Sequence, residues 1–161
     1  MIPPDGRTLA QTSEQELLAS IFPVLPTRPE VLIGVGDDTA LLQVPSGAVL
    51  VTTDSMVLGR DWIDDWSTGA DVGHKVVTQN LADIAAMGGV CTGVVVSLIA
   101  GRDTTVAWYR ELNEGIADAC RAENVAVLGG DLSSAPDGVR VVSITALGEL
   151  NGLSAVRRDG A

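Results

Sequence analysis

Aromatic residues are scarce in this chain: they make up 3% of its 161 residues, whereas hydrophobic residues as a whole make up 46%. A core of this composition must consist chiefly of valine, leucine, isoleucine and alanine. No uninterrupted apolar stretch approaches the roughly 20 residues that a membrane-spanning helix needs, so we expect no contact with a membrane. The first residues lack the basic and apolar segments of a signal peptide, and we therefore expect a cytoplasmic protein.

Cysteine and positive charge are also scarce. Cys91 and Cys120 lie in apolar surroundings without metal-binding spacing, and we expect both to be reduced core residues. The net charge of −11 argues against a nucleic-acid partner, because phosphate backbones are bound by lysine and arginine. Between Arg28 and Lys75 the only basic residue is Arg60. This acidic region is either an ordinary solvated surface or a site whose positive charge is supplied by metal ions.

The chain does contain an alternation of helix-like and strand-like segments. A capping box at Ser13–Glu16 begins a short helix that Pro23 ends. Two long helices are predicted, one over about 71–87 and one that Asp103 or Thr104 caps. Short apolar runs predict strands at 31–36, 40–44, 48–53, 92–100, 125–130 and 139–150. The run at 92–100 is nearly continuous, which is typical of a strand buried on both faces.

These elements predict an α/β (α+β) fold in which a mixed sheet packs against two long helices. We expect one domain over residues 13–150, long enough to bury a core. Residues 1–12 are interpreted as a flexible lead, and residues 151–161 as the start of a connection to a second domain.

Four aspartates share one structural context. Asp38, which follows Asp37, comes after the strand at 31–36; Asp54 and Asp131 come after two further strands. Asp83 lies on the apolar stripe of the first long helix, where we expect it to be buried. Side chains at strand ends of α/β proteins line the crevice where ligands bind, so the four carboxylates are expected to converge.

Converging carboxylates need a counter-charge. Each close pair repels by about 4 kcal/mol at an effective dielectric constant near 20, which divalent cations between them would offset. Hard oxygen ligands favour Mg²⁺, and Thr52 and Thr53 could add hydroxyl or carbonyl ligands. Magnesium that keeps open positions for phosphates suits phosphoryl transfer. Each aspartate alone could instead cap a turn or a helix.

Several motifs resemble one known family. The segments "GVGDDTALL", "VTTDSMV", "DVGHKVVTQNLADIAAMG", "VLGGDLS" and "SITALGEL" occur in the order found in thiamine-monophosphate kinases. That family belongs to the superfamily of aminoimidazole ribonucleotide synthetase, selenophosphate synthetase and a hydrogenase maturation factor. The resemblance covers residues 13–161, which correspond to the family's N-terminal domain.

The resemblance implies an activity and a set of site residues. The activity is an ATP- and Mg²⁺-dependent phosphorylation of thiamine monophosphate to thiamine diphosphate, by a homodimer joined through its sheets. The implied metal ligands are Asp38, Thr52, Thr53, Asp54, Asp83 and Asp131. Gly130, Asp131 and Arg158 are implied to contact ATP, and Asp61 stands where the family usually has a substrate-binding histidine. No catalytic base is implied, since the acceptor phosphate is already ionised.

Two other functions remain open at this point. A superfamily relative could phosphorylate or activate another phosphate-containing substrate. Alternatively, the chain could be a non-catalytic metal-binding dimerisation module. We expect the isolated chain to be inactive, because the family's second domain supplies much of the substrate pocket.

Overall fold

The computed structural model describes residues 6–36 and 38–160. The chain order is α1 (Glu14–Ile21), β1 (Val31–Ile33), β2 (Leu41–Leu42), β3 (Leu50–Val57), α2 (Gly69–Ala86), β4 (Val90–Gly101), α3 (Val106–Ala122), β5 (Ala126–Ala135) and β6 (Arg140–Glu149). Short 3-10 turns lie at Leu9–Gln11, Phe22–Val24 and Arg158–Gly160. The predicted mixed α/β architecture is confirmed.

The main sheet has four strands in the order β3-β6-β4-β5. Strand β6 runs antiparallel to both β3 and β4, whereas β4 and β5 are parallel and are connected through α3. Strands β1 and β2 form a separate antiparallel ribbon. The edges of the main sheet are therefore β3 on one side and β5 on the other.

Helices α2 and α3 cover one face of the main sheet. The core lies between the two layers and includes Met56, Val94, Leu98, Val142 and Ile144, each at most 3% exposed. The opposite face is open: Val51 is 60% exposed, and Val95 and Ile99 are 39% and 38% exposed. The prediction that the strand at 92–100 is buried on both faces is therefore wrong. Its apolar side chains alternate between the core and a face on which Val95 and Ile99 are each more than a third exposed.

Glycines let α2 and α3 approach each other closely. A Cβ atom on Gly115 would lie 2.2 Å from the carbonyl oxygen of Ala70, and one on Gly73 would lie 2.4 Å from that of Leu112. No side chain fits at these distances. The close approach fixes the position of both helices over the sheet.

The helix boundaries differ from the predictions in detail. Helix α1 begins with the predicted capping box, in which the Ser13 hydroxyl accepts a hydrogen bond from the Glu16 amide. Helix α3 is capped by Thr105, whose hydroxyl accepts from the Trp108 amide at 3.1 Å. The prediction of Asp103 or Thr104 as its cap is wrong, because the Asp103 carboxylate instead accepts from the Gly138 amide and closes a neighbouring turn.

Part of the predicted flexible lead is attached to the domain. Residues 7–10 pair with the backbone of residues 102–106, including a hydrogen bond from the Leu9 amide to the Thr104 carbonyl at 2.9 Å. Residues 1–5 lie outside the described residues. Within 6–36 and 38–160, no helix has the length and hydrophobicity that a membrane crossing requires.

Candidate functional site

Strand β3 carries three of the predicted site residues. We expected Asp54 to follow the strand. The strand continues to Val57, however, so Asp54 lies inside it. Side chains alternate along the strand: Thr52 and Asp54 lie on the same side as buried Met56, toward α2, whereas Thr53 lies on the open face. There the Thr53 hydroxyl donates to the Ile144 carbonyl at 2.9 Å. Thr52 and Thr53 therefore cannot turn their hydroxyls to the same ion.

Asp83 projects from α2 toward the edge strand β3. Its carboxylate accepts a hydrogen bond from the Thr52 hydroxyl at 3.0 Å and is exposed. The expectation of a buried Asp83 is wrong, because the last turns of α2 meet the edge of the sheet, where no further described strand covers them. The buried polar residue on this helix is Asn80, which is 0% exposed. Thr52, Asp54 and Asp83 together are called the edge cluster below.

Asp131 lies inside β5, at the other edge of the sheet. The hydroxyl of Ser133 donates to its carboxylate at 2.7 Å, on the open face. Asp131 was expected after the strand, but β5 continues to Ala135 because polar residues suit a face that is not covered. The neighbouring Gly130 has a structural reason to be glycine, since a Cβ atom there would lie 2.2 Å from the Val96 carbonyl oxygen.

Asp38 and Asp131 both line a cavity of about 680 Å³. The cavity lies between α1, α3, the β1–β2 ribbon and the β5 edge, and most of its wall is apolar, including Phe22, Leu25 and Leu112. Gly129 also lines it, and a Cβ atom at that position would meet nothing within 4 Å. An apolar cavity with a few polar groups at its rim is typical of a small-molecule site.

Two polar residues of α3 reach the same cavity. Burial, with a smaller contribution from the negative charge of Glu14, raises the pKa of Tyr109 to about 12, so the phenol remains a hydrogen-bond donor. Asn113 is 8% exposed and donates to the Tyr109 carbonyl at 2.8 Å. Sequence reasoning missed both as site residues, because they share the buried face of an amphipathic helix and so resemble core residues.

The four aspartates do not converge within one chain. Asp54 and Asp131 lie on opposite edges and opposite faces of the sheet, which at about 4.8 Å per strand puts their strands about 14 Å apart. Among residues 6–36 and 38–160, no three His, Cys, Asp or Glu side chains lie close enough to hold a metal ion. The implied ligands instead form two groups, the edge cluster and the rim of the cavity; Asp37 lies outside the described residues.

Asp61 has a local structural role. Its carboxylate accepts a hydrogen bond from the Val57 amide at 2.8 Å, and its carbonyl accepts from the Lys75 ammonium at 2.7 Å. The side chain thereby closes the turn that follows β3. Arg158 lies in the exposed turn at the end of the described chain, which the Val156 amide joins to the Met87 carbonyl at 3.0 Å.

Comparison with known proteins identifies a matching family and several similar proteins. Residues 36–150 match the family described as "AIR synthase related protein, N-terminal domain". The chain is 41% identical over 157 residues to the thiamine-monophosphate kinase of Mycobacterium tuberculosis, an alignment that covers 98% of this chain and 46% of that protein. The chain spans about half the length of the curated relatives it matches.

Solved structures agree with this assignment. The thiamine-monophosphate kinase of Stenotrophomonas maltophilia superposes with a TM-score of 0.71 at 28% identity, over 89% of this chain and 43% of that chain. A structure described as "AaThiL complexed with AMPPCP and TMP" superposes with a TM-score of 0.60 at 28% identity, over 71% of this chain and 36% of that chain. The sequence match and the shared fold show that the chain belongs to the family of AIR synthase related proteins, whose N-terminal domain it contains.

Proposed function

We propose that this chain supplies the ATP- and Mg²⁺-binding part of an enzyme that phosphorylates thiamine monophosphate to thiamine diphosphate. The observation that carries the proposal is the apolar cavity with Asp38 and Asp131 at its rim, in a chain 41% identical to a thiamine-monophosphate kinase. One relative of known structure was described in complex with both AMPPCP and TMP. AMPPCP is an ATP analogue, so ATP is the expected phosphoryl donor.

The cavity suits a nucleotide. Its apolar wall would take the nucleobase, while Tyr109 and Asn113 offer it hydrogen-bonding groups. The phosphates would then lie toward Asp38 and Asp131, where the missing side chain of Gly129 leaves open space. Two carboxylates cannot bind phosphates directly, since like charges repel, and the nucleotide must arrive with a divalent cation.

The edge cluster suits the same kind of cation. Its members present a hydroxyl and two carboxylates, which are hard oxygen donors, and Asp83 is exposed to solvent. Thr53 could join only through its backbone carbonyl, because its hydroxyl is engaged on the open face. Magnesium bound here would neutralise charge that develops on a transferring phosphoryl group. The chain's own task is to position the two phosphates, since the acceptor phosphate needs no general base.

A homodimer would bring the two groups of ligands together. If two open sheet faces meet across a two-fold axis that runs along the strands, the β3 edge of one chain lies over the β5 edge of its partner. Asp131 of the second copy would then lie at the β3 edge, with Asp54 and Asp83 on the other side of that single edge strand. The site proposed here is therefore composite, and each dimer holds two of them.

We also propose that the protein works in the cytoplasm. Cys91 and Cys120 are free and buried, and free thiols are the norm in reducing compartments. Burial raises the pKa of both thiols, which keeps them protonated and slow to oxidise. Fractionation of cells that contain the protein tests this localisation.

Binding measurements test the nucleotide site directly. We expect the chain to bind ATP only with Mg²⁺, and Asp131→Asn and Asp54→Asn each to weaken this binding at least tenfold in titration calorimetry. Asp137→Asn changes an exposed acid in the turn between β5 and β6 and serves as the control. ATP binding that is equally tight in all variants, or independent of Mg²⁺, would refute the site. Because the chain spans only about half of its relatives, we expect it to bind ATP without turnover.

A further inference from the structure

We infer that Trp66 stacks on the positively charged thiazolium ring of thiamine monophosphate. This inference rests on the proposed function, because it assigns the residue that recognises the organic half of the acceptor. The ring carries a quaternary nitrogen, and aromatic side chains, tryptophan above all, bind such cations through the negative face of the indole.

Trp66 is unusually exposed for a tryptophan. Its side chain is 85% exposed, whereas Trp62, Trp108 and Tyr109 are between 3% and 8% exposed. The chain has only five aromatic residues: three Trp, one Tyr and one Phe. A tryptophan left in solvent therefore leaves a large apolar surface unburied that the core could have used. Tryptophan is enriched among the residues that carry most of the binding energy at interfaces, so an exposed indole is a candidate contact residue.

The backbone of Trp66 is held firmly on its C-terminal side. The amides of Trp66 and Ser67 both donate to the Ile63 carbonyl at 3.1 Å, which makes a closed turn. Thr68 then caps α2, and a Cβ atom on Gly69 would lie 2.6 Å from the Trp108 carbonyl oxygen. The turn therefore runs directly into a helix that is packed tightly against α3.

The N-terminal side of the turn is also anchored. The rings of Trp62 and Trp108 stack with centroids 6.1 Å apart, and the Arg140 guanidinium lies 4.6 Å from the centre of the Trp108 ring. Arg140 also forms an ion pair with Asp64. The indole of Trp66 is thus presented from a rigid turn, which lowers the entropic cost of stacking on a ligand.

The charges around this turn suit a cation. Residues 58–68 contain three carboxylates, at Asp61, Asp64 and Asp65, and one cation, Arg60. Arg140 pairs with Asp64 and the Lys75 ammonium binds the Asp61 carbonyl, so the acid next to Trp66 without an ion pair to any described cation is exposed Asp65. An acid at position 61 is unfavourable beside the substrate's phosphate. It is favourable beside the substrate's thiazolium ring.

The two ends of the acceptor can be placed along β3. From Asp54 in the edge cluster to Leu58, where the turn segment begins, is four strand residues, or about 13 Å. An acceptor whose phosphate lies near Asp54 can therefore extend along the strand toward the turn. In this orientation the anionic end meets the proposed magnesium ligands and the cationic end meets Trp66.

The test compares thiamine monophosphate with its 3-deaza analogue, in which a carbon replaces the charged nitrogen and the ring is neutral. Titration calorimetry of the 161-residue chain measures binding of each compound to wild type, Trp66→Ala, Trp66→Phe and the control Leu153→Ala, which truncates another side chain exposed by 68%. We expect wild type and the control to prefer the charged compound by about threefold to thirtyfold. Trp66→Ala should remove the preference, and Trp66→Phe should retain part of it.

The outcomes separate this inference from the function on which it rests. Equal binding of the charged and neutral compounds by wild type would overturn the role of Trp66 while leaving thiamine monophosphate as the acceptor. An unchanged preference in Trp66→Ala would do the same, as would a Trp66→Ala variant whose only defect is weaker dimerisation. Failure of wild type to bind either compound would refute the inference, because Trp66 and the proposed phosphate ligands all lie in this chain; the proposed function is tested separately by the Mg²⁺-dependent binding of ATP.

Discussion

At the scale of single residues, three acids of the proposed site accept hydrogen bonds from neutral donors. Thr52 donates to Asp83, Ser133 donates to Asp131, and the Val57 amide donates to Asp61. A hydrogen bond from a hydroxyl or an amide orients a carboxylate without cancelling its charge. These hydrogen bonds fix the orientation of the three side chains, and oriented oxygen ligands are what a divalent cation site requires.

Replacing Asp83 separates its metal-binding role from its structural role. Asp83→Asn should change the free energy of unfolding by less than about 1 kcal/mol without metal, since Asp83 is exposed and an amide oxygen can still accept from Thr52. The stabilisation that Mg²⁺ gives to wild type should shrink in the variant. Thermal melts with and without Mg²⁺ measure both effects, with Asp137→Asn as the control. A large loss of stability in metal-free Asp83→Asn would instead make Asp83 a structural residue.

Ionisation of the buried Cys120 thiol should destabilise the protein at alkaline pH. Burial, and then the neighbouring Cys91, raise the pKa of Cys120 from 9.0 to about 12. Because the folded-state pKa is raised, the contribution to stability is complete below pH 9 and is lost as the pH approaches 12. By about pH 10.5 the loss should be roughly 2 kcal/mol. Urea unfolding of Cys120→Ala across this range should show a shallower pH dependence than wild type; parallel curves would contradict the prediction.

At the scale of elements, the sequence predicts where helices and strands occur better than where they end. The capping box at Ser13 and the long helices are read correctly, because capping and 3.6-residue periodicity are local properties. Strands β3 and β5 extend past their apolar runs, since one face of the sheet is open and accepts Thr, Ser and Asp. Whether a face of a sheet is open depends on what packs against it, and no local sequence pattern shows this. Asp131 was misplaced at a strand end for this reason, whereas Asp54 lies inside β3 on the side that faces α2.

The contact between α2 and α3 should be intolerant of any added side chain. Gly115→Ala should cost about 2 kcal/mol or more, because the new Cβ would lie 2.2 Å from a backbone oxygen of Ala70, which cannot move without shifting α2. Gly6→Ala is the matched control, since a Cβ atom there meets nothing within 4 Å. Urea unfolding measures both variants. Equal stability of Gly115→Ala and wild type would show that the helices can separate without cost.

At the scale of the whole molecule, the proposed site ligands are divided between the two edges of one sheet. The sequence alone placed all four carboxylates in one crevice. Strand order cannot be read from the chain: β6, the last strand, inserts between β3 and β4 and pushes β3 to the far edge. The open face, with Val51, Val95 and Ile99, is the surface through which a second copy would complete the site.

The open face should join two chains in solution. Light scattering of wild type should give twice the chain mass of 16.6 kDa. Ile99→Lys should give the monomer, because it replaces an exposed apolar side chain of that face with a charge. Val24→Lys is the control, since Val24 is also 38% exposed but lies near α1, away from that face. A wild-type monomer, or a dimer that Ile99→Lys leaves intact, would refute this interface.

Mixing two inactive variants tests the composite site most directly. Asp54→Asn and Asp131→Asn homodimers each lack a ligand in both sites, so neither should bind Mg²⁺–ATP tightly. Heterodimers formed from an equal mixture hold one site with both mutations and one with none, so about a quarter of all sites should recover wild-type affinity. Titration calorimetry of the mixture, refolded together from urea, gives this fraction. No recovered sites in a mixture that has formed heterodimers would mean that Asp54 and Asp131 never meet across the two-fold axis, and would contradict the account.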